Sequence, residues 1–141
     1  DAVIMLGQAS GRTAIELEAI GLNVAREGEA EASAVRPLCD DGPIAYRTEL
    51  PVEQWAADLR GQGFPVQASY HAGTYLCNAA LYTAHYLIER LALPTRAGFI
   101  HVPLDVSQVA DKHNPPPSLP VELSVAAVRW VLSQFAAAHV V

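Results

Sequence analysis

The segment "FPVQASYHAGTYLCNAALYTAHYLIERLALPTRAGFIHVPL" (residues 64–104) decides the fold, because it has the pattern of a strand, a helix and a second strand in succession. "FPVQASY" (Phe64–Tyr70) is typical of a strand. From Thr74 the apolar residues recur at helical spacing until Pro94 stops the pattern, and they predict an apolar helix face made of Leu76, Ala80, Leu81, Ala84, Leu87, Ile88 and Leu91. "AGFIHVPL" (Ala97–Leu104) is then a short apolar strand. This order favours two strands that run parallel in one sheet.

The other segments extend the same alternation. "AVIML" (Ala2–Leu6) predicts a buried strand covered on both faces, and "IELEAIGLNV" (Ile15–Val24) predicts a second strand. Residues 25–45 lack periodicity and predict a long loop. Helices with a proline in the first turn are expected at Pro51 and Pro120. In the first of these, one face carries Val52, Trp55, Ala56 and Leu59, and Gly63 is expected to end the helix. We therefore predict a three-layer α/β/α fold with a mainly parallel central sheet.

Length and composition exclude several classes of protein. The chain has 141 residues, which is enough for one compact domain. Its hydrophobic share of 51% with 17% charged residues is typical of a globular protein, and its net charge of -6 argues against nucleic acid as a partner. No apolar run approaches the roughly 20 residues of a membrane helix, and the start lacks a secretory leader pattern. We therefore expect a soluble cytoplasmic protein with no membrane partner.

Two cysteines, Cys39 and Cys77, are too few for a disulfide scaffold, and neither has a Cys or His nearby at zinc-ligand spacing. Cys77 follows the strand Phe64–Tyr70 and falls in the first turn of the next helix. Free N–H groups and the positive end of the helix dipole lower the pKa of a thiol there, and they can also bind an oxyanion. The position favours a nucleophile. The alternative is a small buried residue without chemistry.

A thiol nucleophile needs a base, and His101 is the best placed of the five histidines. It ends the strand that follows the Cys77 helix, so a right-handed connection brings it to the same edge of the sheet. The alternative is a core histidine whose hydrogen bonds are satisfied. Glu18 lies in an apolar strand segment and is the candidate acid that orients the imidazole, ahead of Glu16. Its alternative is a solvent-facing strand residue.

Four blocks in the expected order now show a resemblance: "GQASGR", "TAIELEAIGLN", "AGTYLCN" and "GFIHVP". The chain resembles the pyrrolidone carboxyl peptidases, or pyroglutamyl peptidases I, a family of intracellular thiol peptidases. The resemblance implies a Cys-His-Glu triad that removes N-terminal pyroglutamyl residues from peptides, without a metal or organic cofactor. It assigns the triad to Cys77, His101 and Glu18, because "GRTAIELE" fits the family pattern Gly-Arg-x-x-Ile-x-x-Glu with Glu18 and not Glu16.

The resemblance also implies residues around the triad. The family has an active-site arginine in the loop after the glutamate strand, and Arg26 is its nearest match, although the loop "AREGEAEAS" is shorter and more acidic than usual. Ser10 stands where glycine is usual. A pyroglutamyl ring needs one donor, one acceptor and apolar walls, for which Gln8 and Leu76 are candidates. The resemblance further implies a homo-oligomer.

Two other functions fit the same residues. One is a different thiol amidase or acyl hydrolase on the same fold. The other is a non-catalytic α/β domain that serves assembly, with Cys77 as a structural residue. Cleavage of a chromogenic pyroglutamyl amide, with iodoacetamide as an inhibitor control, separates these functions.

Family members carry a further N-terminal segment, and this chain starts at what resembles a later strand. The first strand of a doubly wound sheet usually lies in its middle, so we predict that residues 1–141 alone are poorly folded or aggregated, and inactive. Supplying the family's N-terminal segment should restore solubility and cleavage. Unfolding curves and the pyroglutamyl amide assay check this. A monomeric chain of residues 1–141 that unfolds cooperatively and cleaves the amide would contradict it.

Overall fold

The computed structural model describes residues 1–26 and 34–137. Within these residues the secondary structure alternates strands and helices, with one short 3-10 helix before the last helix. The strands are β1 (Ala2–Gln8), β2 (Ile15–Glu18), β3 (Ile20–Leu22), β4 (Ala25–Arg26), β5 (Val35–Arg36), β6 (Ala45–Arg47), β7 (Val66–Ser69) and β8 (Arg96–Val102). The helices are α1 (Val52–Gly61), α2 (Leu76–Arg90), the 3-10 helix (Val106–Gln108) and α3 (Val121–Ala137).

Four strands form the main sheet, in the order β1, β8, β2, β7. This sheet is mixed and mainly parallel, which confirms the predicted α/β fold. Two smaller antiparallel pairs accompany it in the described chain. Strand β3 pairs with β6, and Gly21 lies opposite Tyr46. Strand β4 pairs with β5, and Arg26 lies opposite Val35.

The chain divides into two compact units. Unit 1 consists of Asp1–Met5, Glu18–Pro51 and Ser69–Phe99. Unit 2 consists of Leu6–Leu17, Val52–Ala68 and Ile100–Val141. That residues 1–141 form a single domain stays a prediction.

In unit 1, helix α2 packs against β3 and β6. Its buried residues are Asn78, Leu81 and Tyr82. The Tyr82 hydroxyl donates to the Pro43 carbonyl at 2.7 Å, so this buried phenol has a partner. The predicted apolar face was wrong in part, because Leu76 is 85% exposed and Leu87 is also exposed. Two polar side chains with hydrogen-bond partners occupy the buried face instead.

In unit 2, helix α1 buries the face that its sequence predicts: Val52, Trp55, Ala56 and Leu59. The Trp55 ring meets the Phe135 ring edge to face at a centroid distance of 5.6 Å, so α1 and α3 share a core. Gly63 adopts φ +88 just after α1, a left-handed conformation that glycine adopts without strain. Helix α1 ends at Gly61, so the end predicted at Gly63 is confirmed to within one helical turn.

Two strand predictions needed correction. Strand β1 is not covered on both faces, because Val3 and Leu6 are 46% and 56% exposed and β1 is an edge strand of the described sheet. The single strand Ile15–Val24 is two strands, β2 and β3, which belong to different sheets. The chain changes sheets at Ala19, whose N–H donates to the Ser69 carbonyl at 2.7 Å and whose carbonyl accepts from Thr48 N–H at 2.9 Å.

The loop predicted for residues 25–45 contains β4 and β5 and leads into β6. Its residues 27–33 lie outside the described part of the chain. The side chain of Asn23, which precedes the loop, binds the backbone of two loop residues. Its amide donates to the Cys39 carbonyl at 2.7 Å, and its oxygen accepts from Leu38 N–H at 2.7 Å. Side-chain bonds to backbone groups 15 and 16 residues away leave no periodic signal in a sequence.

We predict that Gly21→Ala destabilises the fold, because the added Cβ would lie 2.9 Å from the backbone nitrogen of Tyr82. The expected loss is about 1–3 kcal/mol, the usual cost of overpacking. Gly61→Ala is the matched control, because nothing lies within 4 Å of its added Cβ. Urea unfolding of a cooperatively folding form of the chain measures both variants. Equal midpoints for the two variants would contradict close packing of β3 on α2.

Candidate functional site

In unit 1, Cys77 is the second residue of α2 and follows β7 through the turn "YHAGT". Gly73 adopts φ +84 in this turn, a left-handed conformation that favours glycine. The Nδ1 atom of His71 accepts from Gly73 N–H at 3.2 Å. His71 therefore acts as a turn residue, which was the preferred interpretation of its position at the end of a strand.

The first turn of α2 differs from the first turns of α1 and α3. Tyr75, at the N-cap of α2, makes no side-chain cap hydrogen bond, and the first turn carries no acidic residue. Helix α1 has Glu53 in its first turn, and Asp105 accepts from Val121 N–H at the start of α3. Because the first amides of a helix have no intrahelical acceptor, an uncapped start presents N–H groups and positive potential to a neighbouring anion. Cys77 sits in that environment.

The Cys77 side chain is partly buried and packs against an apolar cluster formed by Ala72, Leu81 and Phe99. The preceding residues Tyr75 and Leu76 are exposed. Leu76 is thus accessible at the residue before Cys77, and its ring-binding role stays a prediction.

Glu18 is the last residue of β2, in unit 1, and its side chain is 0% exposed. The solvent-facing alternative for Glu18 is therefore wrong. Glu16, in unit 2, forms an ion pair with Arg12 and accepts from the Gln67 amide at 2.8 Å. Glu16 therefore has a structural role on the described chain, and the chemical role of Glu18 stays a prediction.

Arg26 ends β4 in unit 1, and its N–H donates to the Thr74 carbonyl at 3.1 Å. Thr74 lies in the turn just before α2, so this bond holds the Arg26 backbone beside the segment that carries Cys77. The Nε atom of Arg26 is buried and has no hydrogen-bond partner among residues 1–26 and 34–137. A guanidinium group in this position can donate to an anionic or carbonyl oxygen.

In unit 2, His101 is the sixth residue of β8 and is 3% exposed. The carbonyl of the next residue, Val102, accepts from Ala9 N–H at 2.9 Å, which places the end of β1 beside the end of β8. Gln8 is exposed at that end of β1. The structure thus places Gln8 near the strand end of His101, and the ring-binding role of Gln8 stays a prediction.

Gln8 has a partner that sequence reasoning missed. Its amide donates to Gln108 Oε1 at 2.7 Å and accepts from Gln108 Nε2 at 3.2 Å. Gln108 belongs to the 3-10 helix, where Asp105 and Gln108 form a capping box. The pattern "DVSQ" (Asp105–Gln108) was a signal for this turn, because an N-cap acid followed three residues later by Gln is typical of a capping box.

His85 lies two turns along α2 from Cys77, about 12 Å at the usual rise per residue. Its ring stacks on Tyr46 at 5.9 Å, and burial lowers its pKa. It lines a cavity of about 610 Å³ with Arg47 and Glu49, far along the helix from the thiol. Its distance from Cys77 is therefore consistent with ranking His85 below His101 as the base for the thiol. His113 is exposed, and His139 lies outside the described residues.

Within residues 1–26 and 34–137, no group of three or more His, Cys, Asp or Glu side chains could hold a metal ion. None of the helices in the described part of the chain has the length and apolar character needed to cross a membrane. Neither Cys39 nor Cys77 forms a disulfide within the described ranges.

The fold and these residues define an α/β protein with a candidate thiol nucleophile at a helix start. The pyroglutamyl peptidase family matches residues 1–138, and the chain belongs to that family. It is 40% identical over 126 residues to a pyrrolidone-carboxylate peptidase of Thermococcus kodakarensis, a match that covers 86% of this chain and 60% of the relative. A Bacillus licheniformis relative of the same name is 39% identical, with 92% of this chain and 61% of the relative covered.

Solved structures show the same likeness. The pyrrolidone carboxyl peptidase of Thermococcus litoralis superposes with a TM-score of 0.85 and 31% identity, over 94% of this chain and 64% of that one. A mutant (A199P) pyrrolidone carboxyl peptidase of Pyrococcus furiosus gives a TM-score of 0.85 and 32% identity, over 99% and 70% of the two chains. The chain thus spans about 60% of the length of the curated relatives that it matches.

We predict that iodoacetamide at neutral pH alkylates Cys77 at least about 10-fold faster than Cys39, because only Cys77 lies at a helix start, which favours the thiolate. Single-thiol variants, Cys39→Ser and Cys77→Ser, measured by mass spectrometry, separate the two rates. The Cys77 profile should have its midpoint below the reference pKa of about 8.5, and His101→Ala should slow the reaction. Faster alkylation of Cys39 would contradict the assignment.

Proposed function

We propose that the chain carries the catalytic residues of a cysteine peptidase that removes N-terminal pyroglutamyl residues from peptides. The position of Cys77 in the uncapped first turn of α2, inside the block "AGTYLCN", is the observation that carries the proposal. Membership of the pyroglutamyl peptidase family supports it. We also propose, from the family resemblance, a cytoplasmic location and a homo-oligomer.

The triad consists of Cys77, His101 and Glu18. Cys77 is the nucleophile, His101 holds the thiolate as an ion pair, and Glu18 fixes the imidazole tautomer. The full burial of Glu18 and the near-complete burial of His101 support these roles. Charges in a site that excludes water interact more strongly than charges at the surface.

The reaction needs only these side chains and water. The Cys77 thiolate attacks the carbonyl carbon of the pyroglutamyl residue, and a C–S bond forms while the carbonyl electrons move to oxygen. The imidazolium of His101 gives its proton to the leaving amine as the C–N bond breaks. His101 then takes a proton from water, and the resulting hydroxide attacks the thioester carbon. The C–S bond breaks, pyroglutamate leaves, and the Cys77 thiolate is again paired with the His101 imidazolium.

The oxyanion is stabilised by the first-turn amides of α2 and by the Arg26 guanidinium. Each donor of this kind contributes on the order of 3 kcal/mol to the transition state. The absence of a side-chain cap on this turn supports the role of the amides. The buried Nε of Arg26, which lacks a partner in the described ranges 1–26 and 34–137, supports the role of Arg26.

The pyroglutamyl ring is a neutral lactam with one N–H donor and one carbonyl acceptor. Gln8 suits this ligand, because its amide has a second N–H hydrogen and a second lone pair left after pairing with Gln108. Leu76 provides an apolar wall. A substrate with a free amine instead of the lactam would leave these polar groups unpaired, which is the physical source of specificity.

The decisive experiment is cleavage of a chromogenic pyroglutamyl amide by residues 1–141, alone and joined behind the N-terminal segment of a family relative. We predict cleavage by a cooperatively folded form, its loss in Cys77→Ala, and a fall of about 10²–10⁴-fold in His101→Ala and Glu18→Gln. Prolyl amide, which has a free amine, should be a poor substrate.

Two variants serve as controls for this experiment. Glu16→Gln changes a buried carboxylate on the same strand, and Cys39→Ser removes the other thiol, so both should stay active. Folded forms that cleave no pyroglutamyl amide would contradict the proposal. Thiol-dependent cleavage of other amides or esters instead would indicate the different thiol hydrolase.

A further inference from the structure

Asn78 is 0% exposed and follows Cys77 directly in the first turn of α2. Its Oδ1 accepts from Leu22 N–H at 2.8 Å. Its Nδ2 donates to the carbonyls of Leu22 and Val24 at 2.9 and 3.0 Å. Both amide hydrogens and one oxygen lone pair are therefore used, and all three partners are backbone groups of one segment.

That segment connects β3 to β4 and ends at Arg26. Residues Leu22 to Arg26 leave β3 and pass directly into β4, so a bond at Val24 lies only two residues from Arg26. A second bond, from Arg26 N–H to the Thr74 carbonyl, holds the end of the segment to the turn before α2. The close approach of Gly21 to the Tyr82 backbone brings β3 against the same helix.

We propose that Asn78 is a positioning residue that fixes Arg26 relative to Cys77, by binding the backbone of residues 22–24 to the start of α2. This inference rests on the proposed function, since Arg26 and Cys77 act on a substrate only there. Asn78 touches no reacting atom in this role. It sets the distance between the thiol and the guanidinium that faces the developing oxyanion.

The chemistry of the amide fits this role better than that of related side chains. Asp keeps the acceptor for Leu22 N–H but loses both donors and sets a carboxylate against two carbonyl oxygens. Ala removes all three bonds, so the Leu22 N–H and the Val24 carbonyl lose their Asn78 partner. Asn78→Asp therefore removes two of the three hydrogen bonds, and Asn78→Ala removes all three. Asn78→Asp also preserves the volume of the side chain.

Asn23 provides a matched control. It is another asparagine with backbone partners: its side chain binds the backbone of Leu38, Cys39 and Gly42, and none of these belongs to α2. Asn23→Ala therefore removes a comparable set of hydrogen bonds from the same segment without releasing the helix start. A purely structural role of Asn78 predicts that its substitution lowers activity by the same factor whether or not Arg26 is present.

The first measurement is native-state amide hydrogen exchange, which does not require activity. In Asn78→Ala and Asn78→Asp, exchange at Leu22 and Arg26 should speed up at least about 10-fold over the wild type, since local opening exposes these amides. In Asn23→Ala these two amides should keep their protection. Unchanged protection of Leu22 and Arg26 in both Asn78 variants would overturn the inference.

The second measurement is a double-mutant cycle with Arg26→Ala on kcat/KM for the pyroglutamyl amide. We expect Asn78→Asp to cost at least about 10-fold in the wild type but under about 3-fold in Arg26→Ala, because residues that act through one another are not additive. Asn23→Ala should cost under about 3-fold in both. Full additivity of Asn78→Asp and Arg26→Ala would overturn the inference.

The two measurements separate failure of the inference from failure of the proposed function. A wild type that folds cooperatively but does not cleave the amide contradicts the proposed function. Without cleavage by that protein, Asn78 has no positioning role in catalysis, and the exchange data then show only a structural role. If the wild type cleaves the amide and the effects of Asn78→Asp and Arg26→Ala on kcat/KM are additive, the inference is contradicted and the proposed function is not.

Discussion

The hydrogen bonds between Asn78 and the backbone of Leu22 and Val24 fix the start of α2, and the candidate site depends on that position. Cys77 takes its environment from the helix start. Arg26 takes its place from the segment that Asn78 binds. A buried amide with its partners in place is costly to disturb, because the Asn78 amide is 0% exposed and would lose hydrogen bonds that water cannot replace there. The interaction therefore fixes the geometry as well as contributing to stability.

The elements of the fold could be predicted where local pattern and tertiary environment agree. Helix α1 buries the four residues that its spacing predicts, since a polar face and an apolar face alternate clearly there. The strand–helix–strand order around α2 also predicted the place of Cys77, because helix-stop and strand signals bracket it. Its buried face was not predictable, because Asn78 and Tyr82 are buried by partners that lie 39 to 56 residues away along the chain.

The candidate site was predictable only in part, for the same reason. Glu16 and Glu18 are both buried in one strand, and Glu16 is bound to Arg12 and Gln67. Gln67 lies 51 residues away, so no local pattern identifies it. The Gln8–Gln108 pair joins residues 100 positions apart. Sequence spacing predicts secondary structure through local geometry, whereas side-chain pairs at this separation depend on the packed fold.

The way in which α2 is held has a chemical consequence. Most helices begin with a side-chain cap that accepts from the first amides, as Asp105 does for α3. Such a cap would occupy the N–H groups that an oxyanion needs and would oppose a thiolate with its own charge. Asn78 holds the same helix start through bonds to the β3 backbone, without using the first-turn amides of α2. The start of the helix that carries Cys77 is therefore fixed in place without a side-chain cap from Tyr75 on its first turn.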